Sequence, residues 1–491
     1  MNIHGSEHSF DNKHSCQGSS DSNVAMKNLT GINDGNRQMK TSDKELSTKP
    51  AAEVTEILES FSLSKSNLQE ISQLMRQNMD RGLNSATNAS AIVKMYPSFV
   101  RSLPDGTEKG DFFALDLGGS NFRVLLVQLL DGDVKMKSKI YKISQETMTG
   151  TGEQLFDSIA DSLAEFKAEQ GLGDTDLPLG FTFSFPCKQM GLATATLVKW
   201  TKGFTASNVE GKDVVQLLKE ACKRKNVNLQ IVALVNDTVG TLMSCAYSCR
   251  DAYIGLILGT GTNACYMEKL SDVGTWTGDD KEPREVIINM EWGAFGDDGC
   301  LDDYRTEFDR EMDGLTLNKS KQLYEKMISG MYLGEIVRLA LVKLGSSGHL
   351  FGGKVSEDLK TAWKFETRFL TDIEGDASSE NAECRSILTN LGLTTSPSDL
   401  TIVRSVCVAV STRAAKLAVA GLAAVISKIG LNELTIAVDG SLYKKHPTFK
   451  PNMEQFLKEL VPSVSVKLML SEDGSGKGAA LVAAVAARLS S

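Results

Sequence analysis

Phe112-Phe113-Ala114-Leu115-Asp116-Leu117-Gly118-Gly119-Ser120-Asn121-Phe122 carries the first strong strand signal in the chain. Apolar residues interrupted only by Asp116 predict a strand, and Gly118-Gly119 turns it. Phe122 to Leu130 reads as a second strand, ended by Asp131-Gly132-Asp133. The unit is a β-hairpin. Its pattern recurs downstream: Ala252 to Leu258 is apolar, Gly259-Thr260-Gly261-Thr262 turns, and Ala264 to Met267 returns. A third strand, Leu434 to Val438, runs into Asp439-Gly440-Ser441. Helical spacing fills 51–82, 153–168, 208–225, 320–344, 401–430 and 477–489. Strands mixed with helices in this order predict an α/β protein. Two glycine-turned hairpins far apart in sequence suggest two related lobes, each contributing a loop to one cleft.

Glycine turns cradle phosphates because a missing Cβ lets backbone N–H groups approach the oxygens. Asp116 to Asn121 fits this, and so does Gly259 to Asn263; either alone reads equally well as a plain turn. No Walker A sequence occurs, since Gly476-Lys477-Gly478 lacks the hydroxyl residue that must follow the lysine. Gly259 to Ala264 and Gly474 to Ala479 both match G-x-G-x-x-A. Strand-like residues follow the first and the chain ends soon after the second, which argues against a dinucleotide fold. Asn236-Asp237-Thr238 follows the apolar strand Ile231 to Val235 and places a carboxylate at a strand end. That carboxylate suits proton abstraction from an alcohol, or equally an N-cap for the next helix.

The 491 residues suggest two or three domains. A net charge of -9 and a pI of about 5.3, with no dense Lys/Arg run, argue against a nucleic-acid binder. Only five histidines occur, and His4, His8 and His14 lie in a polar tail. His349 and His446 remain, so acid–base chemistry falls to carboxylates. The nine cysteines include no CxxC pair. Cys245 and Cys249 are spaced to share a helix face, but buried or free thiols of a reducing compartment are the favoured reading. Residues 1–50 are too polar to offset their ordering entropy and are expected to be disordered. They show no signal-peptide pattern. The most apolar helical stretch, 401–430, reads as a core helix and not as a transmembrane span.

Leu115 to Arg123 resembles the first phosphate loop of the hexokinase family, and Leu179-Gly180-Phe181-Thr182-Phe183-Ser184-Phe185-Pro186 is similar to its sugar-site signature. Trp200 to Phe204, Val235 to Thr241, Gly259 to Ala264, Asn289 to Gly293, Gln322 to Lys326 and Val438 to Tyr443 continue the match in order. The resemblance runs from about residue 90 to 488, with a weaker trace from 51.

It implies an α/β, two-lobed actin-like ATPase (ribonuclease H-like) fold with a central cleft. Residues 98–236 with 475–491 would form the small lobe, and 51–97 with 237–474 the large lobe. It implies ATP-dependent phosphorylation of the 6-hydroxyl of glucose and related hexoses, the entry step of glycolysis, with ATP and Mg²⁺ as cofactors. Asp237 would be the general base, and Lys202 would sit near the transferring phosphoryl group. Ser184, Phe185, Thr201, Asn236, Asn263, Glu291 and Glu325 would line the sugar pocket. Gly118, Gly119, Ser120, Asn121, Arg123, Thr260, Gly330, Thr367, Gly440, Ser441, Leu442 and Tyr443 would meet the nucleotide. Asp116 would hold Mg²⁺ through water. The implied setting is the cytosol, with the mitochondrial outer surface as a second location, for a monomer or homodimer.

Out of context, Glu291 and Glu325 read as surface helix charges, Lys202 as a solvated lysine, and Trp200, Phe204 and Trp292 as core packing. Ser120 stands where the family usually has Thr. Two rival readings share the fold: a catalytically weak sugar sensor or regulator, and an actin- or chaperone-like ATPase. Retention of Asp237 with Lys202 argues against the first, and the Asn263, Glu291 and Glu325 set against the second.

Overall fold

The computed structural model describes residues 52–119, 121–130, 133–471 and 473–490. The expected disorder of 1–50 and the phosphate-loop assignment of Ser120 lie outside the described residues.

Two mixed sheets organise the chain. In the first, the strand order is Asp133–Lys142, Asn121–Leu130, Gly110–Leu117, Leu177–Phe183, Leu229–Val235. The first two contacts are antiparallel and the last two parallel. The second sheet repeats this arrangement with Glu285–Asn289, Thr262–Lys269, Ala252–Leu258, Glu433–Asp439 and Ser465–Leu470, and adds Tyr96–Pro97 at its edge. Each glycine-turned hairpin expected from sequence is therefore the centre of a sheet. The first does not stop at Asp133, because a third antiparallel strand follows there.

Alternation explains why the first hairpin reads as continuously apolar. Phe113, Leu115, Leu117, Phe122, Val124 and Leu126 face one core, while Phe112, Ala114, Leu125 and Val127 face another. Side chains alternate across a strand, so a sheet covered on both faces needs apolar residues at every position. The second of these cores lies between the sheets and also takes Val239, Leu242, Ala437 and Ala479 to Val485.

Two helices carry that core. Asp237–Ala246 packs on the second sheet, and Gly474–Ser490 packs on the parallel strands of the first and on Asp237–Ala246. Glycines set their approach: a Cβ on Gly478 would strike the backbone of Gly240, and one on Gly240 would lie 2.9 Å from the Ser475 carbonyl. The spacing Gly474-Ser475-Gly476-Lys477-Gly478 thus serves close helix packing.

Pro397–Ile429 is long and apolar enough by length and composition to cross a membrane, yet 78% of its most apolar window is buried inside the protein. Ser396 and Asp399 form a reciprocal cap at its start, and Gly430 in the left-handed region ends it. The helical pattern at 320–344 resolves into Leu323–Ile328 and Leu333–Ser346, and that at 208–225 begins only at Val214. The Asp237 helix ends at Ala246, so Cys245 and Cys249 do not share a helix face. The eight described cysteines are all free thiols.

Candidate active site

The parallel strands deliver their loops to one edge of each sheet, where ligands of open α/β sheets bind. Gly110–Leu117 leads into Gly118-Gly119, Leu177–Phe183 into Ser184-Phe185, and Leu229–Val235 into Asn236-Asp237. Ser184 is tied to the glycine turn, because its N–H donates to the Leu117 carbonyl at 3.1 Å. Asn236 caps the next helix: its Oδ1 accepts from the Thr238 N–H at 2.9 Å and from Thr238 Oγ1 at 2.7 Å. Capping therefore falls to Asn236. Among the described residues, the half-buried Asp237 carboxylate has no hydrogen-bond or ion-pair partner.

A relay of amides runs from this point across the second sheet. Asn263 Nδ2 donates to Asn289 Oδ1 at 2.7 Å and lies 3.5 Å from Asn236 Oδ1. Asn289 Nδ2 then donates to Glu291 Oε1 at 2.8 Å. Glu291 sits just past the strand Glu285–Asn289 with φ at 54°, a left-handed conformation outside any α-helix. Glu325 comes from Leu323–Ile328, and its Oε2 accepts from the Thr262 N–H at 3.0 Å. A Cβ at Gly261 would lie 2.6 Å from that oxygen, so a larger residue there would displace the Glu325 carboxylate. Both glutamates are half-buried, not surface helix charges. Burial pushes the Glu291 carboxyl above its usual range, and the charge of Asp237 adds to the effect. Burial likewise pushes Glu325 up to about 7, with Glu291 adding. Two acceptor-rich carboxylates and a row of amides suit a ligand carrying several hydroxyls.

Lys202 is exposed and has a left-handed backbone, with φ at 55°. Its Nζ donates to the Ser184 carbonyl at 2.8 Å and lies 5.4 Å from the Phe185 ring centroid. That tethers the cation to the loop beside the glycine turn. Thr201 is exposed next to it. Phe185 is 3% exposed and belongs to an aromatic cluster with Phe183, Trp200 and Phe204. Trp292 is fully buried against Tyr324. These aromatics are core packing.

On the other side stands Asp116, whose Oδ2 accepts from Ser475 Oγ at 2.6 Å. Arg123 bridges Asp116 at 3.7 Å and Asp473 at 2.7 Å. Burial raises the Asp116 carboxyl, and Asp237 adds to this; Ser475 and Arg123 oppose it. Asp439, at the end of its strand, is also raised by burial and also feels Asp237. Gly119 has open space where a Cβ would be, and Asn121 is exposed.

The turns of the second sheet converge similarly. Gly330 N–H donates to the Gly259 carbonyl at 2.8 Å, and Met331 N–H to the Thr260 carbonyl at 3.2 Å. Gly440 has φ at 118° and abuts the Gly259 turn, where a Cβ would strike the Leu258 carbonyl. Ser441 begins a short helix, whereas Leu442 and Tyr443 are buried in the core of the second sheet. Thr367 accepts from the Gly334 N–H at 2.9 Å and, with Gly330 and Arg368, lines a cavity of about 320 Å³. A larger cavity of about 480 Å³ lies elsewhere, between Leu58 to Ser62 and Arg404 to Lys416.

Hexokinase family models match residues 53–247 and 253–485. The chain belongs to the hexokinase family. It is 53% identical over 447 residues to Hexokinase-1 of Rattus norvegicus, covering 89% of this chain and 48% of that protein. It is 53% identical over 442 residues to Hexokinase-2 of Homo sapiens, covering 88% of this chain and 48% of that protein. The chain thus spans about half the length of the curated relatives it matches. A solved hexokinase from Schistosoma mansoni, complexed with glucose, is 48% identical. The match covers 88% of this chain and 98% of that one, with a TM-score of 0.82. The fold is the two-lobed α/β fold of the hexokinases and the actin-like ATPases.

Three residues of this candidate site escaped the sequence reading as site residues. Asn289 joins Asn263 to Glu291, Ser475 orients Asp116, and Asp439 completes the acidic rim. Asn289 was visible as the polar end of an apolar strand. Ser475 lay in a stretch whose G-x-G-x-x-A match is set aside as a dinucleotide loop, and whose glycines pack helices.

Proposed function

We propose that this chain transfers the γ-phosphoryl group of ATP to the 6-hydroxyl of glucose and related hexoses. The observation that carries the reading is the unpartnered carboxylate of Asp237 beside the Asn236, Asn263, Asn289 and Glu291 relay. The glucose bound by the Schistosoma mansoni relative supports the choice of sugar.

Residues 98–236 with 475–491 act as the small lobe and 51–97 with 237–474 as the large lobe, with the sugar between them. Glu291, Glu325, Asn263 and Asn236 accept and donate to the sugar hydroxyls, with Ser184, the Phe185 backbone and Thr201 on the facing side. Each charge-assisted bond contributes about 1.5–3 kcal/mol net. Asp237 takes the proton of the 6-hydroxyl as its oxygen attacks the γ-phosphorus and the bond to the bridging oxygen of ADP breaks. Lys202 offsets charge on the transferring group. Gly118, Gly119, Ser120, Asn121, Arg123 and Thr260 hold the phosphates. Gly330, Thr367, Gly440 and Ser441 border the base and ribose, with Leu442 and Tyr443 supporting that wall from the core.

Magnesium fits the residues present. Asp116 and Asp439 offer hard oxygen donors on carboxylates whose affinity for protons burial raises, so a bound cation would offset the cost of keeping them charged. No cluster of three His, Cys, Asp or Glu ligands exists among the described residues, which suits an ion held by one or two carboxylates, waters and phosphates. The bound ion would supply charge neutralisation at the phosphates. Cleft closure then excludes water and limits idle ATP hydrolysis.

The reaction is placed in the cytosol, with the mitochondrial outer surface as a second location, and in a monomer or homodimer. Incubation with Mg-ATP and glucose, following sugar-phosphate formation beside Asp237→Ala, tests the reading. Turnover by wild type alone supports it. Glucose binding without product would make the chain a sensor.

A further inference from the structure

Two atoms in this protein are buried, face each other and have no conventional hydrogen-bond partner: His446 Nε2 and Glu374 Oε1. They lie 3.4 Å apart, on side chains 0% and 1% exposed. Neither belongs to the site described above. The elements that carry them do reach it. Glu374 is near the end of the helix Thr367–Gly375, whose first residue borders the cavity of about 320 Å³. His446 closes the short helix Ser441–Lys445, which follows Gly440 and the Gly259 turn.

The surroundings assign the protons. The Thr448 N–H points at His446 Nδ1 from 3.4 Å. A backbone amide only donates, so Nδ1 is the acceptor and the ring proton sits on Nε2, the nitrogen 3.4 Å from Glu374 Oε1. Thr448 Oγ1 donates to the other Glu374 oxygen at 2.9 Å. Arg404, from Pro397–Ile429, donates to the Glu374 carbonyl at 3.0 Å and also binds the Ile373 carbonyl, holding the end of the helix. The Phe449 ring closes the pocket edge-on, 5.9 Å from the imidazole.

We infer that His446 and Glu374 are positioning residues for the nucleotide: a buried imidazole–carboxylate clasp that fixes Thr367–Gly375 against Ser441–Lys445. The spacing between Thr367 and Ser441 is thereby set before ATP arrives. The inference depends on the nucleotide assignment proposed above. It assigns the clasp no contact with sugar, phosphate or metal.

The test titrates ATP and, separately, glucose into the full chain by calorimetry, and measures KM for each where turnover occurs. His446→Leu keeps bulk and removes the donor; His446→Gln keeps an N–H able to reach Glu374; Glu374→Gln keeps an acceptor. His446→Leu is expected to weaken ATP about tenfold, the effect of removing the one polar group that faces a buried carboxylate oxygen. His446→Gln should recover most of that loss. Glucose affinity and kcat at saturating ATP should stay within about twofold of wild type, well short of that effect. His446→Leu combined with Glu374→Gln should cost less than the two single losses multiplied. Unchanged ATP affinity in His446→Leu, or equal losses for ATP and glucose, overturns the clasp as a nucleotide device. If His446→Leu does not fold, an ATP affinity in Glu374→Gln, which removes the charge facing the imidazole, that moves no more than its glucose affinity overturns the clasp equally. If wild type binds ATP but makes no sugar phosphate, the kinase reading fails while the binding comparison still decides the clasp. A wild type that binds no ATP overturns both.

Discussion

At the scale of single residues, the site is governed by which carboxylates are paired. Asp237 has no hydrogen-bond partner among the described residues, because Asn236 takes over the cap of its helix. Replacing Asp237 by Ala should lower kcat by about 10²–10⁴-fold, the usual contribution of a positioned base. Glucose affinity, read by fluorescence titration, should change far less. Glu325 shows the cost of holding a carboxylate ready for hydroxyls. Its folded-state value of about 7 stands above the ordinary 4.5. The folded chain therefore binds a proton that the unfolded chain has lost between those values, and stability falls as pH rises through that window. Glu325→Gln removes the titration and keeps an acceptor for the Thr262 N–H. Relative to wild type, the variant should gain about 2–3 kcal/mol in urea unfolding on going from pH 4.5 to pH 8. A constant difference across that range would show that Glu325 is not desolvated.

Between elements, the deciding contact is the crossing of Asp237–Ala246 and Gly474–Ser490. One helix presents Asp237 and the other presents Ser475, which orients Asp116. Gly240 and Gly478 let the two backbones touch, and Gly180 does the same for its strand, where a Cβ would strike the Ala479 carbonyl. A methyl group at 478 must separate the helices. Gly478→Ala is expected to destabilise by about 1–3 kcal/mol through overpacking and to lower kcat, because both carboxylates move. Gly314→Ala is the control. It sits at a helix end with nothing within 4 Å of the new Cβ, so it should be neutral or stabilise by up to about 1 kcal/mol. Thermal unfolding and turnover of the two variants separate packing from helix propensity. These glycines were legible as a pattern in the sequence, but their purpose was not. A G-x-G repeat suits a phosphate loop or a helix crossing equally well, and only the neighbour decides.

For the whole molecule, stability and chemistry are anchored in different places. Arg413 and Asp309 form a bidentate pair at 2.6 Å, 0% and 2% exposed, deep in the packing around Pro397–Ile429 and joined to no site residue. Asp309→Leu would strand a buried guanidinium and remove a helix cap, so a loss of about 3–5 kcal/mol is expected in denaturant unfolding. The KM for glucose should stay as it was. Much of the architecture was readable from residues alone. Apolar runs broken by glycine turns marked both hairpins, because strand periodicity and the steric freedom of glycine are local properties. The ordered motifs that resemble the hexokinase family named Asp116, Asp237, Asn263, Glu291 and Glu325 as members of one candidate site. Tertiary structure alone decided the rest: that Asn236 caps and Asp237 does not, that Asn289 links two site residues, and that Ser475 reaches Asp116 across 359 positions of chain. Local signals are written in φ, ψ and side-chain alternation, whereas hydrogen-bond partners distant in sequence are chosen by packing, which no window of sequence contains.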